Sequence, residues 1–291
     1  MEARSANDEV AGSRPDVTVV VIAHDVVDLL RQCLQSVRNA AGGIAVETIV
    51  VDNGSTDGTA QMVTASFPEV RLIRRPGNEG VPGRNHGLRA ARGRHRMFLD
   101  SDAELTEGAL PALVAALDAS PDVGLVGPRL VYPDGGLQLS TRRFPPLLLP
   151  LYRFPPFAAR FESGTTMRRH LMADDPHDRR RPVEYVLGAC QLFRADAQAA
   201  AGEIDRRIWF GHDDADWCFR IRQAGYQVVY VPEAEVVHHY QRRAAAHPLS
   251  LFTLRFLLAH VYFQLKWMTR RRHLVNEGAA MDRRAAAARG R

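Results

Sequence analysis

Glu47-Thr-Ile-Val-Val-Asp52 runs directly into Asn53-Gly-Ser-Thr-Asp57-Gly-Thr59. The apolar part, Thr48 to Val51, is too short for a helix and ends in a dense turn cluster. That pattern fits a strand buried on both faces, as in a parallel sheet. Upstream, Val17 to Ala23 is a second continuous apolar run. Between the two, Leu29, Cys33 and Val37, joined by Leu30 and Leu34, fall on one helical face. Asp57 is placed to cap the helix that follows the turn.

The alternation continues downstream. Val70 to Ile73 reads as a third strand, Gly80 to Gly93 as a glycine-punctuated turn and helix, and Met97 to Leu99 as a short fourth strand. Glu107 to Leu117 is helical and Val123 to Val131 extended. Strands alternating with helices imply βαβ units and a mostly parallel α/β sheet. Ligands of such sheets gather beyond the carboxyl ends of the strands, where Asp52, Asp100 and Asp102 stand. Residues 133–182 are rich in Pro, Arg and aromatics and show no period. Pattern resumes at Val183, with a helix over Asp214 to Ala224 and a strand over Gln227 to Val231. Pro248 to about Val275 reads as helical and basic, and residues 1–15 and the terminal AAAARGR as tails.

Composition narrows the function. The 291 residues are 46% apolar and 24% charged, with a net charge of +5. Lys266 is the only lysine, so the positive charge is arginine, suited to phosphates and anionic surfaces. Cys33, Cys190 and Cys218 are dispersed, which argues against a disulfide framework or a cysteine zinc site and suits a reducing, cytoplasmic setting. The N-terminal stretch has no apolar signal core. No run of about 18 apolar residues occurs; Leu249 to Met268 comes closest but is broken by Arg255, His260 and Lys266. Neither GxGxxG nor GxxxxGK[ST] is present, which argues against a dinucleotide oxidoreductase or P-loop NTPase. Scattered arginines without an aromatic platform argue against nucleic acid as a partner.

Four polar clusters can carry chemistry. In Asp100-Ser101-Asp102 the two carboxylates project to one side of an extended segment and can hold a divalent cation, though an Asp/Ser turn has the same composition. Such a cation neutralises a departing diphosphate. His212-Asp213-Asp214-Ala215-Asp216-Trp217 puts three carboxylates in four residues at a helix start. The dipole there favours one of them, and another can act as general base towards an acceptor hydroxyl. His238 and His239 follow an apolar strand, and imidazole beside a carboxylate suits manganese. Asp52 can accept an imide N–H of uracil or thymine, or simply close its turn.

In this order and spacing, the stretches VTVVVIAHD (17–25), ETIVVDNGSTDGT (47–59), NEGVPGRNHGLRAARG (78–93), HRMFLDSDAEL (95–105), VEYVLGACQLFRADA (183–197) and FGHDDADWCFRIRQAGYQVVYVPEAEVVHH (210–239) resemble glycosyltransferase family 2. The GAC, DDADWC and PEAEVVHH segments, with STRRFP (140–145), are most similar to its bacterial rhamnosyltransferase-like branch. The resemblance implies a GT-A fold over residues 16–240, with 133–182 as an irregular acceptor-side insert and 241–291 as a helical extension. It implies an inverting transfer with Mn2+ or Mg2+ as cofactor. The expected donor is a nucleotide diphosphate sugar, dTDP-L-rhamnose, and the expected acceptor a lipid-linked or cell-wall polysaccharide. A UDP-sugar donor (galactofuranose, galactose or N-acetylhexosamine) and a non-catalytic nucleotide-sugar-binding protein are the alternatives.

Carried onto this chain, the resemblance implies that Ala23, Asp25 and Asp52 line the base and ribose pocket. Arg84 and Asn85 would border nucleotide and sugar, Asp100 would contact ribose or sugar, and Asp102 would ligate the metal. Asp214 is the expected base, with Asp213 its competitor. His238, rather than His239, is the further metal or diphosphate contact. Gly188, Ala189, Arg142 and Arg143 are expected on the acceptor side. Two departures stand out: Ala23-His24-Asp25 replaces the usual Thr-Tyr-Asn, and Asp213-Asp214 the usual Glu-Asp. Arg142, Arg143 and Arg179 to Arg181 flank an apolar stretch with Leu147 to Leu149, Leu151, Tyr152, Phe154 and Phe157. This stretch is either a solvated loop or a surface that meets a lipid diphosphate acceptor at the membrane; the C-terminal part, with Trp267 and Arg270 to Arg272, is expected either in the headgroup region or packed on the domain or on a second subunit.

Overall fold

The computed structural model describes residues 14–150, 164–239 and 250–268. Strand β1 (Val17–Ala23) leads through α1 (Val27–Ala40) to β2 (Val46–Asp52), and α2 (Thr59–Ser66) leads to β3 (Arg71–Arg74). A 3₁₀ turn, Val81–Gly83, opens α3 (Arg84–Ala90), followed by β4 (His95–Asp100) and β5 (Ala103–Leu105). Then come α4 (Ala109–Asp118), β6 (Val123–Val131), β7 (Leu137–Gln138), β8 (Thr141–Arg142), α5 (Thr165–Leu171), β9 (Arg181–Pro182) and β10 (Tyr185–Val186). The last elements are β11 (Cys190–Arg194), α6 (Ala195–Ala201), α7 (Asp213–Gln223), β12 (Gln227–His238) and α8 (Leu251–Trp267).

The sheet runs β3-β2-β1-β4-β11-β6-β12-β5, with β7 on β6 and β9 on β12. Pairing within β3-β2-β1-β4 and between β6 and β12 is parallel. Strand β11 is reversed between β4 and β6. Alternate residues of β1 face opposite layers. Val19 and Val21 join the core with α1, α2 and α4, whereas Val20 joins the core with α3, α6, α7 and α8. Of the expected stripe on α1, Leu30, Cys33, Leu34 and Val37 are buried and Leu29 is half-buried at its edge, and each buried Leu or Val contributes about 1.5–3 kcal/mol. Helix α3 lies so close to β1 that a Cβ at Gly87 would collide with Val20, which requires glycine there.

Several elements differ in extent from the sequence reading. Helix α2 starts after Gly58, whose φ of 90° is left-handed. Asp57 instead accepts N–H groups from Thr59 (3.0 Å) and from Val27 at the start of α1 (2.9 Å), tying the two helix starts together. Strand β12 continues seven residues past Val231. The stretch 133–182 contains β7, β8, α5 and β9, strands too short to show a period. Residues 1–13, Leu151 to Phe157, Arg270 to Arg272 and the terminal AAAARGR lie outside the described residues.

Candidate active site

Strand register brings the first carboxylates together. Ala23 pairs with Asp52, and Ile22 with Asp100, so the ends of β2, β1 and β4 form one edge. Asp52 and Asp100 are two strands apart there, about 10 Å. The Asp100 N–H donates to the Ala189 carbonyl (2.8 Å), which adds the start of β11 to the same edge.

Asp52 is buried, with Oδ1 accepting the Ser55 N–H (2.9 Å) and Arg74 3.9 Å from Oδ2. Ala23 is buried beside it, and its carbonyl accepts the Asn53 N–H (2.8 Å). Asp25 has a φ of 50°, a backbone region that Asp tolerates. Its Oδ1 accepts the Thr56 N–H at 2.7 Å, and that bond holds the carboxyl below its usual range. Asp25 therefore locks the turn after β1 to the turn after β2. Asn85, expected beside the nucleotide, has both amide atoms bonded to the backbone of Ile204 at 2.9 Å. It is a buried tie between α3 and the 204 loop.

Arg84 links the two acidic clusters. It is buried over the Phe98 ring (4.8 Å), donates to Asp100 Oδ1 and to the Gly188 carbonyl (3.2 Å), and lies 3.9 Å from Asp213 Oδ2. Asp213 and Asp214 open α7 behind His212, whose φ is 63°. Asp213 Oδ1 accepts the Gly211 N–H (3.1 Å). Asp214 accepts the N–H of Ala215 (2.8 Å) and of Gly188. Burial holds Asp100 and Asp213 above the usual carboxylate range despite Arg84. Asp214 is pushed up to about 7, first by burial and then by the charge of Asp213, with Arg142 opposing. A carboxylate poised there can take a proton at neutral pH.

On the other side of Arg84, Asp100, Asp102 and His238 present ligand atoms within 4.8 Å of one another. His238 Nε2 lies 3.4 Å from Asp102 and 4.0 Å from Asp100. Burial works against the charged imidazolium, but the hydrogen bond to Asp102 and the charges of both carboxylates outweigh it and raise His238. Asp102 is lowered: burial opposes, and the His238 bond and charge prevail. His238 Nδ1 bonds Gln138 Oε1 at 2.7 Å. With Nδ1–H donating there, Nε2 is the nitrogen turned to the carboxylates, and on losing its proton it would offer a metal its lone pair. Two carboxylates and an imidazole suit Mn2+ or Mg2+. His239 turns away and bonds Glu104 at 2.6 Å.

The remaining expected residues divide. Gly188 sits between Arg84, Asp213 and Asp214, close enough that a Cβ would touch all three side chains. Ala189 is buried below it. Arg142 acts on Asp214 through its charge, while Arg143 pairs with Glu184 (3.2 Å). Asp216 serves packing: it holds Arg220 (2.9 Å), Lys266 (2.7 Å) and the Trp267 indole N–H (2.9 Å), which anchors α8. Trp267 is thus buried, not at a surface. Gln138 was missed. Its only signal is the Asp134-Gly-Gly turn between two apolar stretches, which marks a hairpin and places Gln138 opposite Leu130.

Comparison with known proteins identifies the family and the fold. The sequence model of glycosyl transferase family 2 matches residues 18–197. An N-acetylglucosaminyl-diphospho-decaprenol L-rhamnosyltransferase of Mycobacterium tuberculosis is 31% identical over 219 residues, 70% of each chain. A pre-mycofactocin glycosyltransferase of the same organism is 28% identical over 79% of this chain and 44% of its own. Among solved structures, the Pyrobaculum calidifontis mannosyltransferase PcManGT, in complex with GDP-Man and Mn2+, superposes with a TM-score of 0.58. It is 20% identical, over 88% of this chain and 65% of its own. GalNAc-T7 with UDP, GalNAc and Mn2+ gives 0.57 at 16% identity, over 80% of this chain and 45% of its own. The chain is a member of glycosyl transferase family 2 with the GT-A fold.

Proposed function

We propose that the protein is a metal-dependent, inverting glycosyltransferase. Its donor is dTDP-L-rhamnose, and its acceptor a hydroxyl of a lipid-linked or cell-wall polysaccharide, met at the cytoplasmic face of the membrane. The observation that carries this is one buried arginine, Arg84, that joins the Asp100–Asp102–His238 cluster to Asp213, the neighbour of Asp214 at the start of α7. The name of the mycobacterial relative supports rhamnose and a diphospholipid acceptor.

In this reading Asp52 accepts the imide N–H of thymine, and Asp102 with His238 and Asp100 would hold Mn2+ or Mg2+. A cation bound there offsets the charge gathering on the diphosphate leaving group. The acceptor oxygen attacks the anomeric carbon from the face opposite the diphosphate, through a transition state with oxocarbenium character. The bond from that carbon to the diphosphate oxygen breaks with its electron pair. Asp214 takes the hydroxyl proton as the new bond forms. Arg84 keeps the metal-binding and proton-accepting sides in fixed relation, so the reacting atoms are aligned before chemistry begins.

A thermal-shift panel of dTDP- and UDP-sugars, with and without Mn2+, tests the reading. The expected result is stabilisation by dTDP-rhamnose that needs Mn2+ and is lost in Asp102→Ala. Preference for a UDP-sugar would replace the donor assignment. Stabilisation without any donor hydrolysis or transfer would instead make the protein a nucleotide-sugar binder.

A further inference from the structure

Helix α8 is fastened to the domain by the buried Phe256, Ala259, Phe263 and Trp267 and by its polar residues. His260 Nδ1 bonds His212 at 3.1 Å and its Nε2 bonds the Leu147 carbonyl at 2.8 Å. Gln264 donates to the Pro145 carbonyl (3.0 Å), and Lys266 reaches Asp205 and Asp216 at 2.7 Å each. The opposite face carries Leu251, Leu254, Leu258, Val261, Leu265 and Met268, all more than half exposed. Both faces of the helix are therefore apolar, whereas the usual surface helix turns a polar face outward. The stripe follows the whole helix, roughly 25 Å.

The patch is wider than a helix stripe. Leu147 and Leu148 adjoin it through the Leu147–His260 bond, and Phe210 packs on Phe252 at 4.4 Å between ring centres. Together these are all nine large apolar side chains that are exposed among the described residues. Exposed apolar surface confined to one place marks an interaction site.

We propose that this face docks on the surface of a bilayer containing anionic phospholipid. Charge decides the occupant. The described chain stops and resumes around the patch, at Pro150, Ser250 and Met268. The neighbouring sequence, 151–163, 240–249 and 269–291, holds eleven arginines against Glu162, Glu277 and Asp282. Basic segments beside an apolar helix face suit the anionic headgroup layer. Two copies of this chain joined symmetrically through the stripe would bring the same arginine-rich segments together, and like charges repel. No helix among the described residues is long and apolar enough to cross a membrane, so the helix would lie along the surface. Its position fits a lipid-borne acceptor. His212, which α8 holds through His260 and through the Phe256 and Phe263 rings, immediately precedes Asp213 and Asp214.

The test is flotation of the full-length protein with vesicles of phosphatidylcholine alone or with added phosphatidylglycerol. The wild type is expected to float with the anionic vesicles and to be released by salt. Leu254→Glu/Leu258→Glu/Leu265→Glu should cut vesicle partitioning at least ~tenfold with an unchanged melting temperature, because these side chains are exposed. A wild type that stays in solution with anionic vesicles at low salt overturns the proposal. So does a dimer in sedimentation velocity that the triple variant converts to monomer while vesicle binding persists; the stripe would then be a helix-pairing seam. Vesicle binding needs no donor, so either result leaves the sugar-transfer reading to its own test.

Discussion

Replacing Asp214 with asparagine removes a charge that the fold holds at a cost. The half-buried carboxyl is pushed up to about 7, against 3.8 for an ordinary aspartate. The shift of about 3 units is worth ~4 kcal/mol. The native state binds this proton more tightly than the unfolded chain does. Stability is therefore full below about pH 4, falls as pH rises towards 7, and stays reduced above it. Roughly 3 kcal/mol of the loss falls between pH 5 and pH 8. The asparagine side chain is neutral throughout and should show none of it, so Asp214→Asn gains about 3 kcal/mol over wild type on going from pH 5 to pH 8. Urea unfolding of both proteins at the two pH values measures this. Transfer should move oppositely. Wild-type turnover should rise through pH 7 as Asp214 loses its proton, and the variant should lose about 10²–10⁴-fold in kcat with nucleotide-sugar affinity kept. A variant that turns over within a few-fold of wild type would exclude Asp214 as base and leave Asp213 to be tested. Equal stability differences at pH 5 and pH 8 would show that its charge is not held against burial.

Gln138→Leu should weaken Mn2+ binding about 10–100-fold by releasing the His238 ring, whereas Gln138→Glu, which keeps an acceptor, should restore it; calorimetric titration reads both, and unchanged affinity in the leucine variant would refute the positioning role. Arg84→Met should cost about 3 kcal/mol or more at pH 7 by leaving buried carboxylates unpaired. The loss should shrink as pH falls, because Asp100 and Asp213, both held above the usual range, take up protons before ordinary carboxylates do; urea unfolding across a falling pH series checks this, and a loss that stays constant would count against the pairing. Asp216→Ala should destabilise the protein by about 3 kcal/mol and raise amide exchange along α8, because it frees the Trp267 and Lys266 anchors; protection of α8 as in wild type would show that apolar packing alone holds it.

Period and punctuation made the N-terminal half legible. Val17 to Val21 and Ile49 to Val51 are buried on both faces, so no charged residue interrupts them, and helix α1 shows its stripe plainly. Asp52, Asp100, Asp102 and Asp214 were readable because carboxylates at strand ends and helix starts are conspicuous. The rest depends on contacts between distant segments. Asp25 and Asn85 also tie distant loops through the backbone of Thr56 and Ile204, a role that no local pattern announces. Asp216, beside the candidate base, differs from it only in helical phase, which turns it to α8. Gln138 lies in a two-residue strand, too short for any periodicity to reveal.

The choice of His238 over its neighbours shows how far a residue without chemistry can govern the site. In β12, Val231 lies opposite Pro128 of β6, yet Glu235 lies opposite Arg129, the next residue. Three extra residues, Pro232 to Ala234, are therefore looped into the strand. Pro232 has no N–H for the ladder, which favours such an irregularity there. Beyond it, β12 pairs with β5 so that His238 stands opposite Ala103, next to Asp102, and His239 falls on the other side of the strand, towards Glu104. A flush pairing with β6 would carry Glu235 to the position opposite Ala103 and take both histidines past the carboxylates. Because side chains alternate with every residue, a bulge longer or shorter by one would present His239 or Val237 instead. The cluster of Asp100, Asp102 and His238 thus rests on the bulge at Pro232 as firmly as on its own three residues.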